Sequence, residues 1–501
     1  MGNQVVWFKR DLRTTDHRPL FEASQRGPCL CLYIYEPEIL HAPDFDTSHL
    51  VFINQSLHEL RNRLRELRSD LILRHGKAID VLEQIHREIQ FESLWSHEET
   101  GNSLTYARDL RVADWCRRNK IDWKESPQSG VVRRLKQRDG WARAWQQRMR
   151  EPISPEPKSI TEVAVDDSGS IQSPNDLGLP ESERVTVQTG GRSHALQTLN
   201  TFLDTRGENY RSHMSSPTLG ETGCSRLSPY LAWGNISMRE TAKATSERIV
   251  ALRELRKLDS RAVGNWLKSL SSFQSRLSWH CHFMQKLEDE PAIEFENMNR
   301  GYDGLREDEF DPARFDAWCN GQTGYPMVDA CMRALHQTGW INFRMRAMLV
   351  SFASYHLWLH WKQTALYASR LFLDYESGIH YSQFQMQSGV TGINTVRIYS
   401  PIKQVADNDP KGEFIRRFIP ELEGVPDHLI AEPHRMTSME QILYGCQIGK
   451  DYPPPIVDHK EAYRSAKERI FNAKNRPQTR ELARQVYLKH GSRKTPMRER
   501  R

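Results

Sequence analysis

Two arginines beside a predicted helical turn are the residues of this 501-residue chain whose types and spacing most suggest chemistry. Arg344 and Arg346 end the stretch 321–346, which reads GQTGYPMVDACMRALHQTGWINFRMR. Two residues apart on a helix, their side chains point in roughly opposite directions. One guanidinium can therefore pair with a buried carboxylate while the other faces an anion. A bare helical hairpin needs neither arginine, so the stretch indicates a cofactor or phosphate site.

A second candidate anion site is the loop 223–228, which reads GCSRLS and precedes Pro229. Ser225 and Ser228 offer hydroxyls and Arg226 offers guanidinium donors. Beside the start of a helix, such groups would suit a diphosphate. An ordinary capped helix with a surface arginine explains the same residues, and from the loop by itself it is the favoured interpretation.

Metal ligands are a weaker possibility. His280 and His282 in the segment WHCH are two residues apart, and a helix would separate them widely. One packed and one exposed histidine is the favoured interpretation, and no metal is predicted. The 8 cysteines contain no CxxC pair, which favours reduced thiols in a cytoplasmic protein. A zinc or iron–sulfur site built from four cysteines that converge in space is the alternative.

The elements that position these residues fall into two halves. Residues 1–150 alternate apolar strands and helical patterns, which indicates a parallel sheet covered by helices. This half contains no GxGxxG, so an ordinary dinucleotide site is not predicted. Strands are expected at 5–8, 29–35, 71–73 and 93–96, and helices at 50–67, 79–89 and 106–118.

The rest of the chain reads as a linker, a helical domain and a tail. Residues 151–190 are rich in Pro, Ser, Asp and Glu without periodicity, which predicts a surface linker. Residues 191–485 carry helical apolar stripes. The pattern 326–338 predicts a helix, Trp340 is expected to begin the next one, and 350–361 to form an aromatic-rich helix. Residues 486–501 read as a disordered basic tail.

Composition limits the class of protein. Hydrophobic residues make up 38% and charged residues 27% of the chain. No apolar run approaches the roughly 20 residues that span a bilayer, so no membrane segment is expected. The net charge of +6 is compatible with a polyanionic partner. The basic segments 133–136 and 416–417 could steer nucleic acid, and a solvated charged face explains them equally well.

Six segments in order resemble the photolyase/cryptochrome family, and together they extend over nearly the whole chain. The loop 224–237 is similar to the family's flavin-phosphate loop, with Cys224 in place of a threonine, and 321–346 matches the family's central hairpin. The other four segments read VVWFKRDLRTTDHRPL, SHEETGNSLTYARD, GVVRRLKQRDGW and KGEFIRRFIPEL.

The resemblance implies an α/β, Rossmann-like antenna domain at 1–150 followed by a larger all-α domain that holds FAD. It implies that light excites reduced FAD, which passes an electron to a pyrimidine dimer flipped out of DNA. A second antenna chromophore, a pterin or a deazaflavin, could lie in the amino-terminal domain. DNA with ultraviolet lesions is the expected partner, and a monomer is the expected state.

Site residues carry over from the family by position. Arg346 and Asp374 would form a charged pair beside the isoalloxazine, and Trp279 would stack on the flipped lesion. Trp361 matches the middle member of the family's electron relay. The remaining expected cofactor contacts are Tyr210, Cys224, Ser225, Arg226, Leu227, Ser228, Phe273, Phe372 and Leu373, and the remaining DNA contacts are Arg276, His280, Phe343 and Arg344.

Several positions depart from the family pattern. Counted without gaps, Gly378 stands where an asparagine, aspartate or cysteine usually faces flavin N5, and Ser382 stands at the flavin-proximal tryptophan. Arg276 replaces a lesion-contacting glutamate, and Phe343 replaces a DNA-facing asparagine. Tyr381, Tyr375 or Phe384 could partly substitute in the relay.

Three functions follow from the resemblance and its departures. A photolyase that repairs pyrimidine dimers is the leading hypothesis. A cryptochrome-type photoreceptor that signals through a protein partner is the first alternative. A light-independent nucleic-acid-binding or redox flavoprotein is the second.

Overall fold

One five-stranded parallel sheet organises the amino-terminal part of the computed structural model, which describes residues 2–184 and 187–492. The strand order is β3-β2-β1-β4-β5, and every neighbouring pair is parallel. The predicted α/β fold with a parallel sheet is therefore confirmed. The strands are β1 Gln4–Phe8, β2 Cys29–Tyr35, β3 Leu71–His75, β4 Ser93–His97 and β5 Asp122–Ser126.

Helices cover both faces of this sheet, which explains why β1 and β4 are buried along their whole length. One face packs on α4 and α5, and the other packs on α1, α3, α6 and on helices of the carboxyl-terminal half. The six helices are α1 Arg18–Ser24, α2 Pro37–Leu40, α3 Thr47–Glu66, α4 Ala78–Ile89, α5 Ser103–Arg118 and α6 Trp141–Arg150.

Strand β5 was not predicted because its sequence, DWKES, contains no apolar run. It lies at the edge of the sheet, where β4 is its neighbour and its side chains are mostly half-buried. An edge strand of this kind carries little of the hydrophobic pattern that identifies buried strands.

The carboxyl-terminal half is helical, as predicted, and surrounds a second large core that contains Met327, Phe352 and Trp361. Its helices are α7 Arg192–Thr201, α8 Tyr210–His213, α9 Pro217–Gly223, α10 Ser228–Ala232, α11 Met238–Leu258, α12 Trp266–Asp289, α13 Pro312–Cys319, α14 Pro326–Thr338, α15 Phe343–Ser351, α16 Trp361–Leu371, α17 Ser377–Ser388, α18 Pro401–Asn408, α19 Glu413–Phe418, α20 Ser438–Leu443, α21 His459–Asn475 and α22 Pro477–His490.

Two helix boundaries differ from the prediction. Gly339 ends α14 with a left-handed φ of 68°, but Trp340 belongs to the connection, and α15 begins only after Asn342. The 350–361 segment is not one helix: a π-helical turn, Phe352–His356, follows α15. The chain then passes through Trp358, whose φ is 57°, before α16 starts. The spacing of aromatic residues does not reveal this interruption of the helix, because the residues before and after it are equally buried.

The predicted linker 151–190 also forms backbone hydrogen bonds with the sheet. Its backbone pairs with the sheet at Cys29 and Leu73, where Cys29 N donates to Thr161 O at 2.8 Å and Leu73 N donates to Ser168 O at 2.8 Å.

Helix α22 extends into the range 486–501 that was assigned to the tail, and residues 493–501 lie outside the described residues. The domain limits stay predictions. No helix in the described ranges is long and apolar enough to cross a membrane.

Candidate functional site

The centre of the candidate site is a bidentate ion pair between Arg346 on α15 and Asp374, which lies between α16 and α17. Arg346 Nη1 and Nη2 donate to the two carboxylate oxygens at 3.0 and 2.8 Å. The guanidinium also lies 4.1 Å from the ring centroid of Phe372. Burial opposes ionisation of Asp374, but the charge of Arg346 outweighs it, so the pKa of this carboxyl is lowered. Asp374 is therefore an anion fixed in one orientation.

The two arginines of the hairpin diverge, as their spacing predicts. Arg344 leaves α15 in another direction, where its Nη2 donates to Ser215 Oγ at 3.4 Å. Its guanidinium lies 6.0 Å from the ring of Tyr399. No carboxylate of the described residues forms an ion pair with Arg344. This cation is free to meet an anionic ligand at the surface.

The chain segment that carries Asp374 is held from three directions by side chains distant in sequence. His49 Nε2 donates to Phe372 O at 3.0 Å, and Trp233 Nε1 donates to Leu373 O at 3.0 Å. Arg10 Nη1 donates to Tyr375 O at 2.9 Å. His49 and Arg10 belong to the amino-terminal half, so the position of the ion pair depends on that half.

The loop 224–228 places a second guanidinium close to this pair. Arg226 has a left-handed φ of 61°, and its guanidinium stacks on the indole of Trp340 at 3.9 Å. Its Nε donates to Gln188 Oε1 at 3.1 Å, yet within the described ranges no carboxylate lies at ion-pair distance. Burial is the main reason why the pKa of Arg226 falls to about 10. A half-buried cation without a counter-ion favours a bound anion.

The other expected cofactor contacts gather around the same place. Ser228 hydrogen-bonds the carboxylate of Asp374, which joins the loop to the ion pair. Cys224 lies near the charges of Arg226 and Arg346, although burial dominates and raises the pKa of its thiol to about 12. Tyr210 packs edge-on against Phe273, with ring centroids 5.9 Å apart. The structure therefore brings the sequence-predicted cofactor residues together.

Gly378 is the exception among the predicted residues. A Cβ at this position would lie 2.8 Å from Met284 Cα, so Gly378 is packed against α12. The expectation that Gly378 faces a cofactor stays a prediction. Ser382 is also enclosed, and its Oγ has no hydrogen-bond partner among the described residues. The packing of α17 on α12 decides which residues of α17 face Arg346, and a count along the chain does not contain that information.

His380 on α17 lies beside the ion pair. Its Nε2 donates to Ala365 O at 2.7 Å, and its electrostatic neighbours include both Arg346 and Asp374. Burial lowers the pKa of His380 to about 4, so the ring is neutral. It lines a small apolar cavity together with Arg346, Phe343 and Phe384. The helical spacing of 376, 380 and 384 was the signal that could have identified it.

The outer rim of the site exposes aromatic and basic side chains. Trp279 is 49% exposed and Phe343 is 50% exposed. The guanidinium of Arg276 lies 4.8 Å from the indole of Trp279. Exposed aromatic rings beside cations are suited to stacking on nucleic-acid bases.

His280 does not share this exposure. Its Nε2 lies 2.7 Å from Glu376 Oε2. Burial opposes protonation of His280, but Glu376 outweighs it, so the pKa of the imidazole rises to about 10. This pairing argues against His280 as a direct DNA contact.

Trp361, the expected relay residue, is fully buried at the start of α16. Its Nε1 donates to Asn297 Oδ1 at 2.7 Å. Its ring centroid lies 6.3 Å from that of Tyr381. An aromatic contact therefore leads from Trp361 to α17, although the predicted proximal position, Ser382, carries no ring.

A separate cleft opens at the carboxyl ends of β1, β2 and β4, the edge where open α/β sheets bind ligands. Burial raises the pKa of Glu36 in its wall to about 6, against the pull of Arg108. Other lining residues are Lys9, Arg10, Tyr33, Asp44, Glu99 and Tyr375.

Next to this cleft, Asp11, His17 and His97 form the one group among the described residues with metal-ligand spacing. Asp11 Oδ2 lies 2.9 Å from His17 Nε2 and 2.7 Å from His97 Nδ1. His17 Nδ1 accepts from Leu20 N at 3.1 Å. Each group already has a hydrogen-bond partner, so the cluster is explained without a metal.

Comparisons with known proteins agree with this geometry. Residues 4–150 match the family model described as DNA photolyase, and residues 273–472 match the FAD binding domain of DNA photolyase. A deoxyribodipyrimidine photo-lyase of Halobacterium salinarum is 28% identical over 91% of this chain and 96% of its own length. A cryptochrome DASH of Gloeobacter violaceus is 26% identical over 94% and 95%.

A solved structure extends the likeness to three dimensions. The class III photolyase of Agrobacterium tumefaciens superimposes with a TM-score of 0.81 at 26% identity, covering 95% of this chain and 98% of its own. The chain belongs to the photolyase/cryptochrome family. Its cofactor is FAD. The half-buried Arg226, which has no ion-pair partner within the described part of the chain, is an observation of this structure that fits a diphosphate.

Proposed function

We propose that the protein is a light-driven DNA photolyase that repairs ultraviolet-induced pyrimidine dimers. Bound FAD supplies the electron chemistry when it is reduced and excited by light. The observation that carries the proposal is the Arg346–Asp374 pair, which has the guanidinium of Arg226 among its electrostatic neighbours. The exposed Trp279 lies on α12, the helix that His280 joins to Glu376, two residues after Asp374. A cofactor site that opens beside a stacking platform is what repair of a flipped base requires.

The chain's own residues have distinct roles in this proposal. Arg226, Ser225 and Ser228 hold the diphosphate, and the ion pair orients the ring system. Trp279 and Arg276 receive the extruded bases by stacking and charge. Tyr210, Cys224, Leu227, Phe273, Phe372 and Leu373 complete the cofactor walls, and Phe343 and Arg344 meet the DNA.

The cleft at the sheet edge is the proposed place of a second, light-harvesting chromophore. It adjoins Tyr375 and Glu376, so a conjugated ring there would lie near the cofactor site. Eight free cysteines, seven of them buried, support a cytoplasmic location for this protein, and we propose a monomer.

The decisive experiment mixes the purified, photoreduced protein with a thymine-dimer oligonucleotide under blue light. Loss of the dimer in the light, and not in the dark, is the expected result. Photoreduction of FAD without any loss of dimer would contradict repair.

The second candidate function is a cryptochrome-type photoreceptor that signals through a protein partner. Arg276, which stands beside Trp279 in place of a glutamate, favours it. In that case blue light would change the protein's association state or its protease sensitivity while dimer DNA stays intact.

A further inference from the structure

Tyr375 and Tyr381 form a buried pair next to the Arg346–Asp374 ion pair. Their rings are perpendicular, with centroids 6.5 Å apart, and their hydroxyl oxygens are 3.4 Å apart. Tyr375 follows Asp374 directly in sequence, and its ring lies 5.2 Å from the imidazole of His380. Two oxidisable rings therefore lie beside the residues that would orient the cofactor.

The hydroxyl of Tyr375 has a base as its partner. It donates to Asp44 Oδ2 at 2.8 Å, across a sequence separation of 331 residues. Asn102 Nδ2 donates to the same oxygen at 2.8 Å, which fixes the carboxylate. Tyr375 and Asp44 are both buried. Burial, with Tyr381 and Asp44 adding to it, holds the pKa of Tyr375 well above its usual value, so the phenol keeps its proton until it is oxidised.

We propose that Tyr375 is a redox-active tyrosine whose oxidation is coupled to proton transfer to Asp44. The inference rests on the proposed function, because the oxidant is the photoexcited, oxidised form of bound FAD. One electron leaves Tyr375 for that oxidant while the phenolic O–H bond breaks and an O–H bond forms on Asp44 Oδ2. The product is a neutral phenoxyl radical. The S–H bond of a thiol in solution then breaks, its hydrogen atom re-forms the phenolic O–H bond, a thiyl radical is left, and the proton on Asp44 is released.

The nearby tryptophans are less suited to hold the oxidising equivalent. Trp361 Nε1 donates to an amide oxygen of Asn297, which is not a base. Trp358 lies between two guanidinium groups, those of Arg306 at 4.4 Å and Arg469 at 4.0 Å. Two positive charges over an indole oppose the removal of an electron from it. Trp361 can pass a charge to Tyr381, and of Trp361, Tyr381 and Tyr375 it is Tyr375 whose polar hydrogen is bonded to a carboxylate.

Two variants and a matched control test the proposal. Tyr375→Phe removes the hydroxyl, and Asp44→Asn keeps a hydrogen-bond acceptor but removes the base. Tyr355→Phe is the control, because Tyr355 is equally buried and its hydroxyl has no partner among the described residues. Each flavin-containing protein, grown with normal or ring-deuterated tyrosine, is frozen under blue light for electron paramagnetic resonance. The rate of photoreduction with added thiol is measured in parallel.

We expect a radical in the wild type whose signal narrows with deuterated tyrosine. The signal disappears in Tyr375→Phe, and photoreduction slows roughly tenfold in both variants but not in Tyr355→Phe. A tyrosine signal that persists in Tyr375→Phe, or a wild-type signal that does not narrow, overturns the proposal. Repair by chemically reduced protein bypasses Tyr375. Normal repair with unchanged photoreduction in the variants therefore refutes this inference alone, whereas a protein without FAD refutes the proposed function as well.

Discussion

His280 Nε2 lies 2.7 Å from Glu376 Oε2, an ion pair that joins α12 to the start of α17 across the inner wall of the site. The pairing raises the pKa of His280 to about 10, so the imidazole is a cation at neutral pH. Because both side chains are largely buried, the pair also fixes the position of α17 relative to α12.

The ion pair between His280 and Glu376 should make the stability of the folded protein depend on pH. A raised pKa means that the stabilisation is complete below about pH 6.5, the usual value for histidine, and is lost as pH rises through about 10. His280→Gln should therefore lower the melting temperature at pH 6 and have little effect near pH 10.5. His58→Gln, at an exposed position, is the control. An equal loss at both pH values would show that His280 is not charged in the folded protein.

Removal of the Arg226 side chain should weaken FAD binding. Arg226 has no carboxylate partner among the described residues, so Arg226→Ala takes away a cation that only a ligand would satisfy. A charge-assisted hydrogen bond contributes about 1.5–3 kcal/mol, which predicts a rise in Kd of roughly ten- to a hundredfold. Flavin fluorescence titration of the apoprotein measures it, with the exposed Arg253→Ala as control. Unchanged affinity would remove the loop from the cofactor site.

Gly378 and Ser382 should respond in opposite ways to alanine. Gly378→Ala forces a methyl group against Met284 Cα and should destabilise the protein by about 1–3 kcal/mol. Ser382→Ala removes a buried hydroxyl that has no hydrogen-bond partner among the described residues, and it should be neutral or stabilising. Thermal melting compares the two. A wild-type melting temperature together with a changed flavin spectrum in Gly378→Ala would instead place Gly378 against the cofactor.

Trp279→Ala should weaken binding to dimer-containing DNA more than binding to undamaged duplex. Stacking of one base on an aromatic ring contributes about 1–3 kcal/mol, so we expect a rise in Kd of roughly tenfold for damaged DNA. Phe295→Ala, which removes another exposed aromatic ring, is the matched control. Filter-binding at fixed salt separates the two ligands. An equal loss for damaged and undamaged DNA would assign Trp279 a non-specific role.

The local pattern of apolar residues was sufficient to predict an element where its residues are uniformly buried. Strand β2 was predicted at its observed limits because seven consecutive residues, CLCLYIY, are apolar or aromatic. The ion pair between Arg346 and Asp374 was anticipated through a motif. His380 and the partnership of Tyr375 with Asp44 were not, because they depend on which face of α17 meets α12 and on a contact across 331 residues. The spacing of 376, 380 and 384 marks a common face of α17 but does not say what that face meets, and the contact of Tyr375 with Asp44 leaves no trace in the spacing of residues along the chain.

The three donors that hold the backbone carbonyls of Phe372, Leu373 and Tyr375 make the two halves of the protein interdependent. Two of the donors, His49 and Arg10, come from the sheet-bearing half. An isolated helical fragment would leave those carbonyls unsatisfied and Asp374 loosely held. The helical half should therefore not form the cofactor site when it is expressed by itself. A chimaera that exchanges the sheet domain must retain His49 and Arg10 to keep Asp374 in place.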